Sequence, residues 1–380
     1  MIRLLLTGLL VLAGLWPISA RAMPPQERLD VLRRGVNLTN WFRYPASLDP
    51  AKIRVYLSTA VIMNLRQAGF GFVRLAVQPE ILMAGGALRQ DRLSLLLDAI
   101  RRLQQAGLGV VIAPHPFTWR LENDPTALVQ FWRALAPTLS GTDARLTFPE
   151  VLNEPVFAQD APGWATLQAA TLAEIRGALP HHTVILTGQD WGSIPGLLAL
   201  PQVADGNVVY SFHFYDPSEL TSIAAYRPGL DGAALVQLPF PMSPAACAPI
   251  AAATDPDTAG LIRFTCAMGW GPDKLHDSLA KAGAWARRNN AALLLGEFGA
   301  SVRLNAPARL AWLAAVRSTA EQQGIGWAIW GYDDAMGFAI PSPPPARPVL
   351  NAALLEALGL GKTPIRGAAV PAQFHRLSVP

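Results

Sequence analysis

Two glutamates, Glu154 and Glu297, stand where the chain abruptly changes character. Residues 148–155 read F-P-E-V-L-N-E-P, an apolar run that stops at Asn153 and Glu154. Pro155 then prevents the extended chain from simply continuing. Residues 291–299 have the same form, with the run 293–295 ending in Gly296-Glu297-Phe298-Gly299. A carboxylate at the tip of a buried strand is costly unless it has a partner or a task there. Two such carboxylates are the minimum for cutting a glycosidic bond. One must be protonated to assist the leaving oxygen, and the other ionised to attack the anomeric carbon. Their surroundings must therefore push their pKa values apart.

Such a pair needs a scaffold that brings distant strand ends together. The sequence repeats one unit: a helical segment, a glycine stop, an apolar strand and a polar strand end. Strands are expected at 34–41, 70–77, 108–113, 148–152, 183–186, 208–214, 293–295 and 325–330. Helices are expected at 55–67, 91–105, 126–135, 164–179, 195–199, 274–288, 309–323 and 351–358. Gly69, Gly107 and Gly324 fall where a helix end takes a left-handed residue, and Asn290 can serve likewise. Continuous apolar strands joined by helices are the mark of a parallel sheet buried on both faces. Eight such units define an α/β fold, a (β/α)8 TIM barrel, with a long insertion after strand 6. An open doubly wound sheet would want a glycine-rich phosphate loop after its first strand, and residues 34–41 offer none.

The insertion, residues 217–271, has no strong period and reads as a long functional loop rich in Pro, Ala and Gly. It holds both cysteines, Cys247 and Cys266. They can bridge in an oxidising compartment or remain two buried thiols. A Pro-rich link at 341–348 precedes the last helix, and residues 361–380 read as a loose tail.

A barrel gathers the C-terminal ends of its strands on one face, where active sites sit. The expected strand ends supply Asn37, Asn40 and Trp41, then Arg74, His115, Asn153 with Glu154, His213 with Tyr215, Glu297 and Trp330. Arg74 can hold one glutamate ionised, since an opposite charge favours the carboxylate, and Tyr215 can donate to the same group. Trp41 and Trp330 offer flat faces on which a pyranose ring can stack. Each residue taken alone has a structural reading: a capping glutamate, an ion-paired arginine, a core tryptophan. His115 and His213 could also be read as ligands of a metal-dependent hydrolase, but no usual Cys/His spacing accompanies them. The joint pattern, with a polar group at nearly every strand end, carries the functional reading.

At Asn153-Glu154-Pro155 the chain resembles glycoside hydrolase family 5, the cellulase-type (β/α)8 enzymes. Gly296-Glu297-Phe298-Gly299 is similar to that family's nucleophile strand, and Arg34-Gly35-Val36-Asn37 to its first strand. Arg74, His115, His213, Tyr215 and Trp330 fall at matching places, so the resemblance covers essentially the whole mature chain. It implies a retaining hydrolase with Glu154 as acid/base and Glu297 as nucleophile, their carboxyl groups about 5–5.5 Å apart. It further implies that Asn153 binds the sugar 2-hydroxyl and that Arg74 and Tyr215 position Glu297. His115 and His213 would bind hydroxyls or support the glutamates, and Trp330 would floor the site. No metal or organic cofactor is implied. The length and cysteine pair of the insertion depart from the family's common core, which leaves endo and exo action both open. The expected substrate is a β-glucan; β-mannan, an exo-acting β-glucosidase and a catalytically silent carbohydrate-binding barrel are the alternatives.

Bulk properties bound the rest. The chain has 380 residues, 51% hydrophobic and 15% charged, which supports a large core and argues against extensive disorder. The 31 basic and 27 acidic residues give a net charge of only +4 without a dense basic run, so nucleic acid is not expected as a partner. Arg3, the short apolar run 4–15 and Ala20-Arg21-Ala22 read as an export signal over residues 1–22, the alternative being an uncleaved anchor. The expected product is a secreted or periplasmic catalytic domain over 23–360, monomeric and free of the membrane.

Overall fold

The computed structural model describes residues 23–157, 160–332 and 350–361. The expected signal, the 341–348 link and nearly all of the tail lie outside these residues. Eight parallel strands form one sheet: β1 (Arg34–Phe42), β2 (Phe72–Val77), β3 (Gly109–Pro114), β4 (Thr147–Pro149), β5 (Val184–Thr187), β6 (Val208–Phe214), β7 (Ala292–Phe298) and β8 (Gly326–Ile329). Each pairs with its sequence neighbours, and β1 pairs with β8. Between β4 and β5 the ring closes through a parallel bridge from Glu150 to Ile185 and a 2.9 Å bond from Val151 N–H to the Ile185 carbonyl. The result is the expected (β/α)8 barrel.

Helices connect the strands, and the left-handed stops fall where the sequence placed them: Gly69 (φ 108°), Gly107 (77°), Gly324 (71°) and Asn290 (44°). One expected helix, at 55–67, is two. Ser58 breaks it by capping Thr59–Ala68, accepting from Val61 N–H, and Pro50–Val55 precedes it. A short helix, Gln26–Val31, comes before β1, and the apolar residues around its end, Leu29, Val31 and Leu32, close the base of the barrel. Gly71, Gly109 and Gly326 admit this plug; a Cβ there would lie 2.6, 2.4 and 2.2 Å from Val31 or Leu32 atoms.

Strand alternation divides the core. Phe72, Val111, Phe148, Ile185, Val209, Leu294 and Ala328 pack together inside the barrel. Their neighbours Val73, Leu75, Val110, Ile112, Val208, Tyr210, Leu293 and Leu295 belong to the larger cluster under the helices.

Residues 217–271 correct the expectation of a loop without regular structure. They contain helices Ser218–Thr221, Gly232–Leu235, Pro244–Ala252 and Pro256–Ala267. The last two begin with Ser243-Pro244 and Asp255-Pro256, a capping side chain followed by the one residue pre-set for a first turn. A Cys247–Cys266 disulfide joins them. The insertion is tied to the segment after β7, where Asn305 Nδ2 donates to the carbonyls of Val236 and Leu238 and Ser301 N–H to that of Thr221.

Candidate active site

The upper interior of the barrel is polar and centred on Arg74. Inward positions two residues above the apolar layer are Arg74 on β2, Glu150 beyond β4 and Ser211 on β6. The register places Asn37 directly beside Arg74. Arg74 is fully buried, and all five of its N–H groups have acceptors. Nε and Nη2 clamp Glu150 at 2.7 and 2.6 Å. Nη1 reaches Asn37 Oδ1 at 2.9 Å and Glu297 Oε1 at 2.6 Å, and Nη2 reaches Asn153 Oδ1 at 2.8 Å. Burial alone would lower the guanidinium pKa, but the charges of Glu150 and Glu297 outweigh it and raise the pKa above its ordinary value.

Glu297 is aimed inward by an irregularity in β7. Leu295 pairs with Phe212, but His213 pairs with Glu297, so Gly296 is an extra residue; the pairing with β8 shifts at the same place. Glu297 thereby joins Leu294 on the inner face. Its second oxygen accepts from Tyr215 Oη at 3.0 Å. Asn37 Nδ2 ties the bulge to β1 by donating to the Gly296 carbonyl at 3.1 Å.

Glu154 lies opposite, its side chain 26% exposed. His213 Nδ1 is 2.9 Å from Glu154 Oε1 and 3.6 Å from Glu297 Oε2. Burial pushes the imidazole pKa down, but the adjacent Glu297 charge and the contact with Glu154 prevail, and the pKa lies above the ordinary histidine value. One atom each of Glu154, His213 and Glu297 fall within 4.8 Å of one another, the group among the described residues that could also grip a metal ion. His115 stands outside that group. Both its ring nitrogens are buried without a protein partner. Burial, then the charges of Arg43, Arg74 and His213, hold its pKa well below the usual value.

The mouth is aromatic. Trp330 stacks with His115 at 5.9 Å. The Arg43 guanidinium lies 5.4 Å from the Trp330 ring and 4.8 Å from Tyr44, which in turn packs on Phe117 at 5.2 Å. Glu80 fixes the Phe117 loop by accepting from the N–H groups of Phe117 and Thr118. Across β4 from this wall, Trp191 is 61% exposed, and its N–H meets the Pro155 carbonyl.

Of the expected site residues, Asn37, Arg74, Asn153, Glu154, His213, Tyr215 and Glu297 form one connected group, and His115 and Trp330 line its rim. Trp41 is a correction. It is 1% exposed, packs on Phe42 and Tyr56, and donates its indole N–H to the Ile53 carbonyl, so it is a core residue with no face toward the cleft. Two residues in the arrangement carried no expectation. Glu150 could have been found by alternation, two residues from the inward Phe148. Trp191 follows the expected fifth strand, 183–186, but its exposure depends on the left-handed backbone of Asp190 (φ 62°) and Trp191 (φ 58°), which residue types alone do not announce.

A (β/α)8 barrel with paired carboxylates at the ends of its fourth and seventh strands defines the class, a barrel hydrolase of the O-glycosyl type. The chain belongs to glycosyl hydrolase family 5: the cellulase model of that family matches residues 33–336. Endoglucanase 3 of Fibrobacter succinogenes is 25% identical over 338 residues, covering 81% of this chain and 51% of the relative, so the chain spans about half of that protein. Endoglucanase C of Acetivibrio thermocellus is 24% identical over 315 residues, 79% of this chain and 91% of the relative. The crystal structure of endoglucanase Cel5A from Thermotoga maritima shares the fold, with a TM-score of 0.72 at 23% identity over 88% of this chain and 100% of that one. Structures of that endoglucanase carry cellobiose or mannotriose.

Proposed function

We propose that this chain is a retaining endo-β-glucanase in which Glu297 is the nucleophile and Glu154 the acid/base. The carrying observation is the approach of Glu154 and Glu297 oxygens to within 4.8 Å. A retaining pair stands about 5–5.5 Å apart, whereas inversion needs about 6.5–9.5 Å to admit a water.

In the first step a Glu297 oxygen forms a bond to the anomeric carbon. The glycosidic C–O bond breaks with its electrons on the leaving oxygen, which takes the Glu154 proton. In the second step Glu154, now a carboxylate, removes a proton from water. The water oxygen bonds to the same carbon, and the ester to Glu297 breaks. Asn153 contributes its amide N–H, because its carbonyl oxygen is already held by Arg74. His115, buried with two unpartnered nitrogens, backs the Trp330 ring that borders the sugar site.

Endo action is supported by aromatic surfaces on both sides of Glu154 around the ring, Tyr44 and Phe117 toward β1 and β3 and Trp191 after β5. A mannan is the second reading, favoured by the recorded complexes of the Thermotoga endoglucanase with both sugars. Export to an oxidising compartment is part of the proposal, supported by the Cys247–Cys266 disulfide.

The stereochemical test is direct. Proton NMR of freshly cut cello-oligosaccharide should show the β-anomer first; initial α-anomer would overturn the reading. Early loss of β-glucan viscosity relative to reducing ends released marks endo cleavage, and glucose release without that loss would replace it with exo action.

A further inference from the structure

We infer that Glu150 is a positioning residue that keeps Arg74 charge-paired while Glu297 is consumed, and thereby sets the rate of the first chemical step. The inference rests on the two-carboxylate reading above. Glu150 cannot touch substrate, since it is fully buried beneath the site. It is held from both sides: its N–H bonds to the Ile112 carbonyl of β3 at 3.0 Å, and its bridge to Ile185 closes the barrel.

The argument is one of charge. In the resting site one buried guanidinium serves two buried carboxylates, Glu150 and Glu297, both at 2.6 Å. When Glu297 attacks, it becomes a neutral ester. Were it the only counter-charge, Arg74 would be left a buried cation without a partner, which is among the costliest arrangements a protein interior can hold. It would also resist the attack by binding the carboxylate too well. With Glu150 clamped on the Nε–Nη2 edge, the pair stays neutral throughout. The clamp also fixes the guanidinium plane, leaving Nη1 for Glu297 and Asn37.

The test compares wild type, Glu150→Gln and Glu150→Asp on an aryl β-cellobioside with a fast leaving group, where kcat/KM reads the first step and kcat the second. Glu150→Gln should lower kcat/KM by about 10- to 100-fold and kcat by clearly less, so that KM rises. Glu150→Asp, which keeps the charge, should recover part of the loss with the same skew. A protein that is merely damaged loses both constants by one factor; that outcome, or wild-type constants in Glu150→Gln, overturns the inference. If Glu150→Gln does not fold, Glu150→Asp decides alone: skewed loss supports the inference, and equal loss or none sinks it. Glu297→Ala runs in parallel. Its retaining activity would defeat the two-carboxylate reading itself, whereas an inactive Glu297→Ala beside a wild-type-like Glu150→Gln defeats only the role given to Glu150.

Discussion

Glu297 faces into the barrel because Gly296, the residue before it, is one residue more than the neighbouring strands can pair. Without that bulge the inward positions of β7 would be Ala292, Leu294 and Gly296, and Glu297 would point toward the helices with Leu293 and Leu295. Gly296 is also required for space, since a Cβ there would lie 2.5 Å from Ser211 Oγ and 3.2 Å from His213 Nε2. Gly296→Ala should therefore destabilise by about 1–3 kcal/mol, as overpacking does, and lower kcat at least tenfold by displacing both His213 and Glu297. Denaturant unfolding and steady-state kinetics read the two effects. Adding Ser211→Ala removes the nearer clash and should recover part of the stability.

Arg74 cannot be exchanged for lysine, although the charge is kept. Four side chains, Asn37, Glu150, Asn153 and Glu297, are fixed by a planar fork of five donors, and an ammonium has three. Arg74→Lys should fold with activity reduced about 100-fold through misplacement of the nucleophile. Arg74→Met leaves two buried carboxylates unpaired and should lose about 3–5 kcal/mol of stability. Wild-type turnover in Arg74→Lys would show that the fork geometry is unimportant.

Stability should fall on mild acidification for a reason remote from the active site. His182, at the base of the barrel, is 5% exposed, and both ring nitrogens lack partners. Burial, then the charges of Arg28 and Arg176, lower its pKa from 6.5 to about 4. Between pH about 6.5 and 4 the unfolded chain takes up a proton that the folded chain refuses, so unfolding becomes easier as pH drops; below about 4 the effect is complete. His115 acts in the same direction. His213, whose pKa is raised, acts oppositely, adding stability at low pH that is lost as pH rises through its folded value. In His182→Leu the stability difference between pH 7 and pH 4.5 should narrow, by at most about 3 kcal/mol. An unchanged difference would remove His182 from the account.

The strands are legible because they are apolar runs with polar ends, four of them preceded by a helix stop at Gly69, Gly107, Asn290 or Gly324, and most of the site is legible because the barrel forces strand ends together. Glu150 is harder to read because it lies short of the polar strand tip, and only alternation puts the residue two beyond Phe148 on the same inner face. Trp41 departs from the expected site because an aromatic at a strand end is as good a core residue as a platform. The bulge at Gly296 was not legible at all, because register belongs to pairs of strands and not to one. The helices of the insertion were hidden by Ala- and Pro-rich composition, although Ser243-Pro244 and Asp255-Pro256 mark their starts.

The last relationship to test lies on the rim. Asp190 and Trp191 both hold left-handed backbone conformations that cost a residue other than glycine about 1–2 kcal/mol, and Trp191 nevertheless exposes 61% of its surface. Strain combined with exposure of a large apolar ring is hard to explain by stability, and is understandable if the ring receives a sugar beside Glu154. Trp191→Gly should then raise stability by up to about 1 kcal/mol, because the ring packs little and glycine accepts that backbone without strain. It should lower kcat/KM on β-glucan about tenfold, in line with one lost stacking contact, while hydrolysis of a short aryl glycoside changes much less. If polymer and short substrate lose activity equally, the Trp191 ring acts by holding the segment after β5 beside the catalytic loop, whose backbone bond to Pro155 glycine would keep, and not as a surface for the chain.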